Sequence, residues 1–117
     1  MHTRSLFGAL IIVLLTLCSA HASVEHKVKQ MYAKHPTLVK IAKCESGFKQ
    51  FDDKGQPLKN PNSSATGVMQ IIASIHAPTA RSMGFDIKTI EGNLRYALAL
   101  YRTQGSSPWN ASKHCWG

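Results

Sequence analysis

The sequence predicts a small, mainly α domain with a minor β-hairpin or long-loop insertion. Three observations lead there. Apolar residues recur at three-to-four spacing in several segments, proline and glycine punctuate those segments, and one polar stretch near the middle breaks the pattern.

The first segment is a leader rather than part of the fold. Arg4 precedes the apolar run from Leu6 to Leu17, and Ser19-Ala20-His21-Ala22 follows with small residues at alternate positions. This predicts a secretory signal peptide over residues 1–22, cleaved after Ala22. The run falls short of the ~20 residues that span hydrocarbon, so no stable membrane anchor is expected. Leu17 is too bulky to make Cys18 a good lipid attachment point. Of 117 residues, 95 then remain as one domain, residues 23–117, expected to be monomeric and exported to the periplasm or medium.

Val24, Val28, Met31 and Tyr32 predict an amphipathic helix over 24–34, broken at His35-Pro36 because the residue before proline leaves helical geometry. Thr37 is a candidate cap for a second helix, with Leu38, Val39, Ile41 and Ala42 apolar and Gly47 as its stop. Residues 48–64 carry turn chemistry in Asp52-Asp53-Lys54-Gly55 and Asn60-Pro61-Asn62, so the hairpin or loop is expected there. A helix from about Ser74 to Met83 ends at Gly84. The longest helix runs from about Glu91 to Gln104 with Leu94, Leu98 and Tyr101 on one face, and a last helical turn spans Trp109 to His114.

Two cysteines, Cys44 and Cys115, remain after the leader is removed. An even pair in an exported chain predicts a disulfide. Closing a loop of roughly 70 residues contributes on the order of 4 kcal/mol by loop entropy. Neither cysteine has the paired spacing of a zinc site, so no metal is expected.

Fourteen Lys and Arg against six Asp and Glu give a net charge of +8, or +7 once Arg4 leaves. Such a chain is drawn to polyanions. The lysines are scattered, with no basic reading helix and no aromatic-glycine signature, so nucleic acid is not the expected partner.

The residues with the most chemical content surround Glu45. It ends an apolar helix, directly after Cys44 and before Ser46-Gly47-Phe48. A carboxyl at the negative end of a helix, with apolar neighbours such as Phe48 and Met69, suits a proton donor. Asp52 and Asp53 are the nearest further carboxylates, but their turn context favours bonds to their own backbone.

"CESGF", "GVMQI" (Gly67 to Ile71) and "EGNLRYALALY" with Asn93 occur in order. Over residues 36–105 this resembles the catalytic domain of the soluble lytic transglycosylases, relatives of goose-type lysozyme. The resemblance implies a lysozyme-like α+β fold and cleavage of the MurNAc–GlcNAc bond of peptidoglycan by Glu45 acting as acid and then base, without a cofactor. The substrate's N-acetyl oxygen would assist, and the muramic C6 hydroxyl would close onto C1 to give a 1,6-anhydro sugar. By the same resemblance, Ser46, Met69 and Gln70 would contact glycan, and Asn93 would hold the loop or reach the site.

One departure stands out. The family's Ala-Tyr-Asn segment has a tyrosine thought to touch the acid. Here Trp109-Asn110-Ala111-Ser112 has none, and Ser112 is the candidate replacement hydroxyl. His76 and His114 have no partner spacing for a metal or a triad, and are expected to be solvated or capping. A hydrolysing lysozyme using the same Glu45 and a non-catalytic peptidoglycan-binding accessory protein remain alternatives. The small size points to a secretion, conjugation or pilus apparatus as partner.

Overall fold

The computed structural model describes residues 23–117. The leader and its cleavage point lie outside the described residues. Helix α1 occupies 23–31 and buries Val24 and Val28, and Tyr32 is buried in the turn that follows it. The Tyr32 hydroxyl donates 2.6 Å to the Leu94 carbonyl, tying this helix to the longest one.

Helix α2, Pro36–Ser46, begins two residues earlier than a Thr37 cap would allow. His35 is its N-cap, in non-helical geometry and without a side-chain cap bond. Proline decides the start: at the first helical position its fixed φ suits the helix and its missing N–H costs nothing. Leu38, Ile41 and Ala42 face the core. Gly47 ends the helix in left-handed geometry (φ 63°), and its N–H reaches the Lys43 carbonyl at 2.9 Å.

The regular β structure lies later than 48–64. Strands β1, Ala65–Thr66, and β2, Ile71–Ile72, pair antiparallel with Ala65 opposite Ile72 and Thr66 opposite Ile71. Residues 48–64 contribute only isolated bridges, Phe51 to Pro57 and Lys59 to Thr66. Burial explains the shift. Ala65, Thr66 and Ile71 have a core to pack against, whereas 51–57 is exposed apart from half-buried Pro57.

Helix α3 is Ala73–Ser82 and α4 is Ile90–Gln104, the latter capped by the Thr89 hydroxyl accepting the Gly92 N–H at 3.0 Å. The buried face of α4 is Asn93, Leu94, Tyr96, Ala97 and Leu100, while Leu98 and Tyr101 are only partly covered. The expected final turn is longer: a 3-10 segment, Ser107–Ser112, runs into a short helix α5, Lys113–Trp116. Cys44 and Cys115 are bonded, with Cα atoms 6.0 Å apart across a sequence separation of 71. The domain is therefore mainly α with a small two-stranded sheet among the described residues. None of their helices is long and apolar enough to cross a membrane.

Candidate active site

Two devices hold the site, one on each side. The first is a pair of buried amides around the Gly67 turn. Gln50 accepts the Val68 N–H at 2.9 Å and donates to the Ile87 carbonyl at 3.1 Å. Asn93 accepts the Met69 N–H at 2.9 Å and donates to the carbonyls of Thr66 and Ile87, both at 2.9 Å. Both side chains are essentially inaccessible, so these bonds replace water that the turn's peptide groups would otherwise need. Only glycine fits between them. A Cβ on Gly67 would lie 2.5 Å from both the Asn93 and Gln50 amides, and its φ is 72°.

The second device is the C-terminal segment. Trp109 is buried and its indole donates 2.9 Å to the Met69 carbonyl, so the Gly67 turn and the C-terminal segment share one peptide neighbour. The Cys44–Cys115 bond ties α5 to the residue preceding Glu45.

Between them opens a groove of about 160 Å³. Its apolar lining includes Ile71, Ile72, Leu100, Pro108 and Trp109, and its polar lining is Glu45, Asn60, Ser63, Gln70 and His76. Among the described residues, Glu45 is the only carboxylate in that lining. The Ser112 hydroxyl donates to Glu45 Oε1 at 2.5 Å and accepts the Trp116 indole N–H at 3.0 Å. Two residues bordering the site carry positive φ without being glycine, Phe48 at 64° and Gln70 at 49°. Each such residue costs on the order of 1 kcal/mol, tolerated where the surroundings over-determine it.

The sequence-predicted residues divide clearly. Glu45 and Gln70 line the groove, and Ser112 touches Glu45. Asn93 takes the loop-holding role, deep in the core. Met69 does not line the groove: its side chain is completely buried among core residues, and only its peptide groups serve the site. Ser46 turns back onto its own helix end, donating 3.1 Å to the Ala42 carbonyl and accepting the Lys49 N–H at 3.1 Å. Asp52 accepts the N–H groups of Lys54 and Gln56 at 2.8 and 3.0 Å, and neither it nor Asp53 lines the groove.

Two groups went unread in the sequence. Gln50 carries no motif signal and sits beside Lys49 between Phe48 and Phe51. His76 is not simply solvated. Its Nδ1 lies 2.8 Å from the Tyr96 hydroxyl, and the ring lines the groove. Burial pushes the Tyr96 phenol up and the His76 imidazole down from their ordinary values, so both stay uncharged near neutrality. Tyr96 makes no other side-chain hydrogen bond among the described residues. The ring and the phenol share this one hydrogen bond, with the donor set by the imidazole tautomer. His76 and Tyr96 lie 20 residues apart on α3 and α4, a pairing that spacing within either helix does not reveal.

Comparison with protein-family models, curated proteins and solved structures finds no match.

Proposed function

We propose that this chain is a peptidoglycan lytic transglycosylase of the soluble lytic transglycosylase kind, with Glu45 as its single acid and base. The observation that carries this reading is a groove with one carboxylate in its lining, hydrogen-bonded to a hydroxyl and walled by apolar side chains. Two-carboxylate glycosidases need a second acidic group within about 10 Å across the scissile bond to act as nucleophile or to activate water. With one carboxylate, the substrate has to supply the other functions. Glu45 protonates the glycosidic oxygen as the C1–O bond breaks, and the N-acetyl oxygen supports C1. The C6 hydroxyl then attacks C1, and its proton returns to Glu45. Holding that hydroxyl within the same sugar gives the closure a high effective concentration.

Gln70 and the neutral His76 offer hydrogen bonds to an uncharged sugar, and the exposed Ile72 offers apolar surface to its faces. The basic surface supports attraction to an anionic wall polymer. On this reading the protein works outside the cytoplasm, where its disulfide is stable, and a wall-spanning secretion, conjugation or pilus apparatus is a fitting partner.

The test is digestion of purified peptidoglycan by the protein and by Glu45→Gln. Muropeptides lighter by one water and without reducing ends are expected, and Glu45→Gln should lose about 10²-fold or more in rate while folding normally. Full-mass products with reducing ends would replace the transglycosylase with a hydrolase. Binding without cleavage would replace it with an accessory protein.

A further inference from the structure

Three groups converge on the oxygen of Ser112. Its Oγ lies 2.5 Å from Glu45 Oε1, 3.2 Å from the Trp109 carbonyl oxygen and 3.0 Å from Trp116 Nε1. An indole N–H can only donate, so Trp116 occupies a lone pair of the hydroxyl. That leaves one serine proton and two acceptors, the carboxyl and the peptide carbonyl. Their competition depends on charge. A carbonyl and a protonated carboxyl are acceptors of similar strength, whereas a hydrogen bond to a carboxylate is roughly twice as strong.

We propose that Ser112, oriented by Trp116, is a positioning residue for Glu45, its hydroxyl held on Oε1 so that this bond tightens as the carboxylate forms. This rests on Glu45 being the acid. Oε1 is the oxygen held by Ser112, and Oε2 makes no hydrogen bond to the described residues, so Oε2 delivers the proton to the glycosidic oxygen. Negative charge then grows on the carboxyl, and the Ser112 bond strengthens in the transition state relative to the ground state. That is the condition for a contact to raise the rate rather than the affinity. When Glu45 later takes the C6 hydroxyl proton onto Oε2, the charge disappears and the Ser112 bond returns to its weaker, neutral form. Ser112 stays neutral throughout, and no proton passes along it.

The arrangement is built into the chain at two short spacings. Cys44 immediately precedes Glu45, and Cys115 follows Ser112 by three residues, so one disulfide fixes the acid and the hydroxyl against each other. Trp116, only 8 % exposed, anchors α5, and its N–H also reaches the Trp109 carbonyl at 3.2 Å. A serine that merely finished the 3-10 segment would need the Trp109 carbonyl alone. Contact with Glu45 is what such a role does not explain.

The experiment compares Ser112→Ala, Ser112→Thr and Trp116→Phe in the full mature chain, with Glu45→Gln alongside. Solubilised glycan strands are the substrate, and kcat, KM and Tm are read for each variant. Ser112→Ala is expected to lower kcat about tenfold at unchanged KM and Tm, and Ser112→Thr to restore most of it. Trp116→Phe keeps a packed ring but frees the hydroxyl, so kcat should fall by a smaller factor. Wild-type kcat in Ser112→Ala, or a loss that follows Tm and is not rescued by threonine, would overturn the proposal. Should Ser112→Ala fail to fold, an unchanged kcat in Trp116→Phe would overturn the orienting role on its own. Activity retained by Glu45→Gln would instead remove the acid assignment on which the proposal stands.

Discussion

The two sides of the groove do the same job by different physics. Around Gly67, Gln50 and Asn93 thread buried amides through the backbone, and every bond depends on exclusion of water. At the C-terminal end, ten residues in two short helical turns are held by one covalent bond and two tryptophans. The amide-held side lies inside the domain, where folding itself supplies the dry surroundings that make hydrogen bonds count. The C-terminal side is too short to make its own core, and short isolated helices are marginal in water. A cross-link does there what burial does elsewhere.

If that contrast is right, the largest loss should come from the staple. Replacing both Cys44 and Cys115 by serine removes a constraint on a loop of 71 residues. It should cost about 4 kcal/mol by the loop-entropy relation. Chemical denaturation of both proteins measures it. A loss below about 1 kcal/mol would mean that Trp109 and Trp116 hold the tail unaided.

The amide-held side should fail next. Asn93→Ala strands the Met69 N–H and the carbonyls of Thr66 and Ile87. At 1–3 kcal/mol for each buried group left unpaired, with partial relaxation, the cost is about 3 kcal/mol. A denaturation midpoint close to wild type would show water entering to replace the amide, and the claim of a dry clamp would fall.

Trp109→Phe is milder and tests whether the two sides are coupled. It removes the indole bond to the Met69 carbonyl and should cost about 1 kcal/mol. Met69 is also the residue whose N–H Asn93 holds, so the double variant with Asn93→Ala should be non-additive. Strict additivity would make the two sides independent.

The sequence made the C-terminal device easier to read than the amide clamp. Cysteine pairing is a matter of parity and compartment, and the helices follow from apolar spacing and from Pro36, Gly47 and Gly84 as punctuation. Glu45 and Gln70 were legible because they sit at motif positions, and Ser112 because it is the hydroxyl in the segment that lacks the expected tyrosine. Met69 and Ser46 sit at motif positions as well, yet their side chains go to the core and to the helix end, since a motif does not say which atoms of a residue are used. The β-pair was expected too early because turn residues mark where a chain reverses, not where strands can be buried. Gln50 and the His76–Tyr96 pair were out of reach, as each depends on contacts between elements whose packing no local pattern encodes.

The smallest effect is the most local reporter of the amide-held side. His76 stands on α3 beside the groove, and its imidazole is held below the ordinary value of 6.5 by burial. Between that lowered value and 6.5, the unfolded chain binds a proton that the folded chain refuses. The stability contributed by neutral His76 is therefore complete above 6.5 and is lost as pH falls through the lowered value. His76→Gln cannot titrate, so its Tm should decline less than wild type on acidification. The chain has six histidines, and subtracting the two Tm–pH curves isolates this one. Parallel curves would mean that His76 binds protons alike folded and unfolded, leaving its ring as open to water as an exposed histidine. The same subtraction in an Asn93→Ala background sharpens the contrast between the two sides. If the buried amides keep the α3–α4 contact closed over His76, loosening them should bring the two curves closer together. If the gap persists, the packing of Tyr96 against His76 shields the ring without help from the clamp.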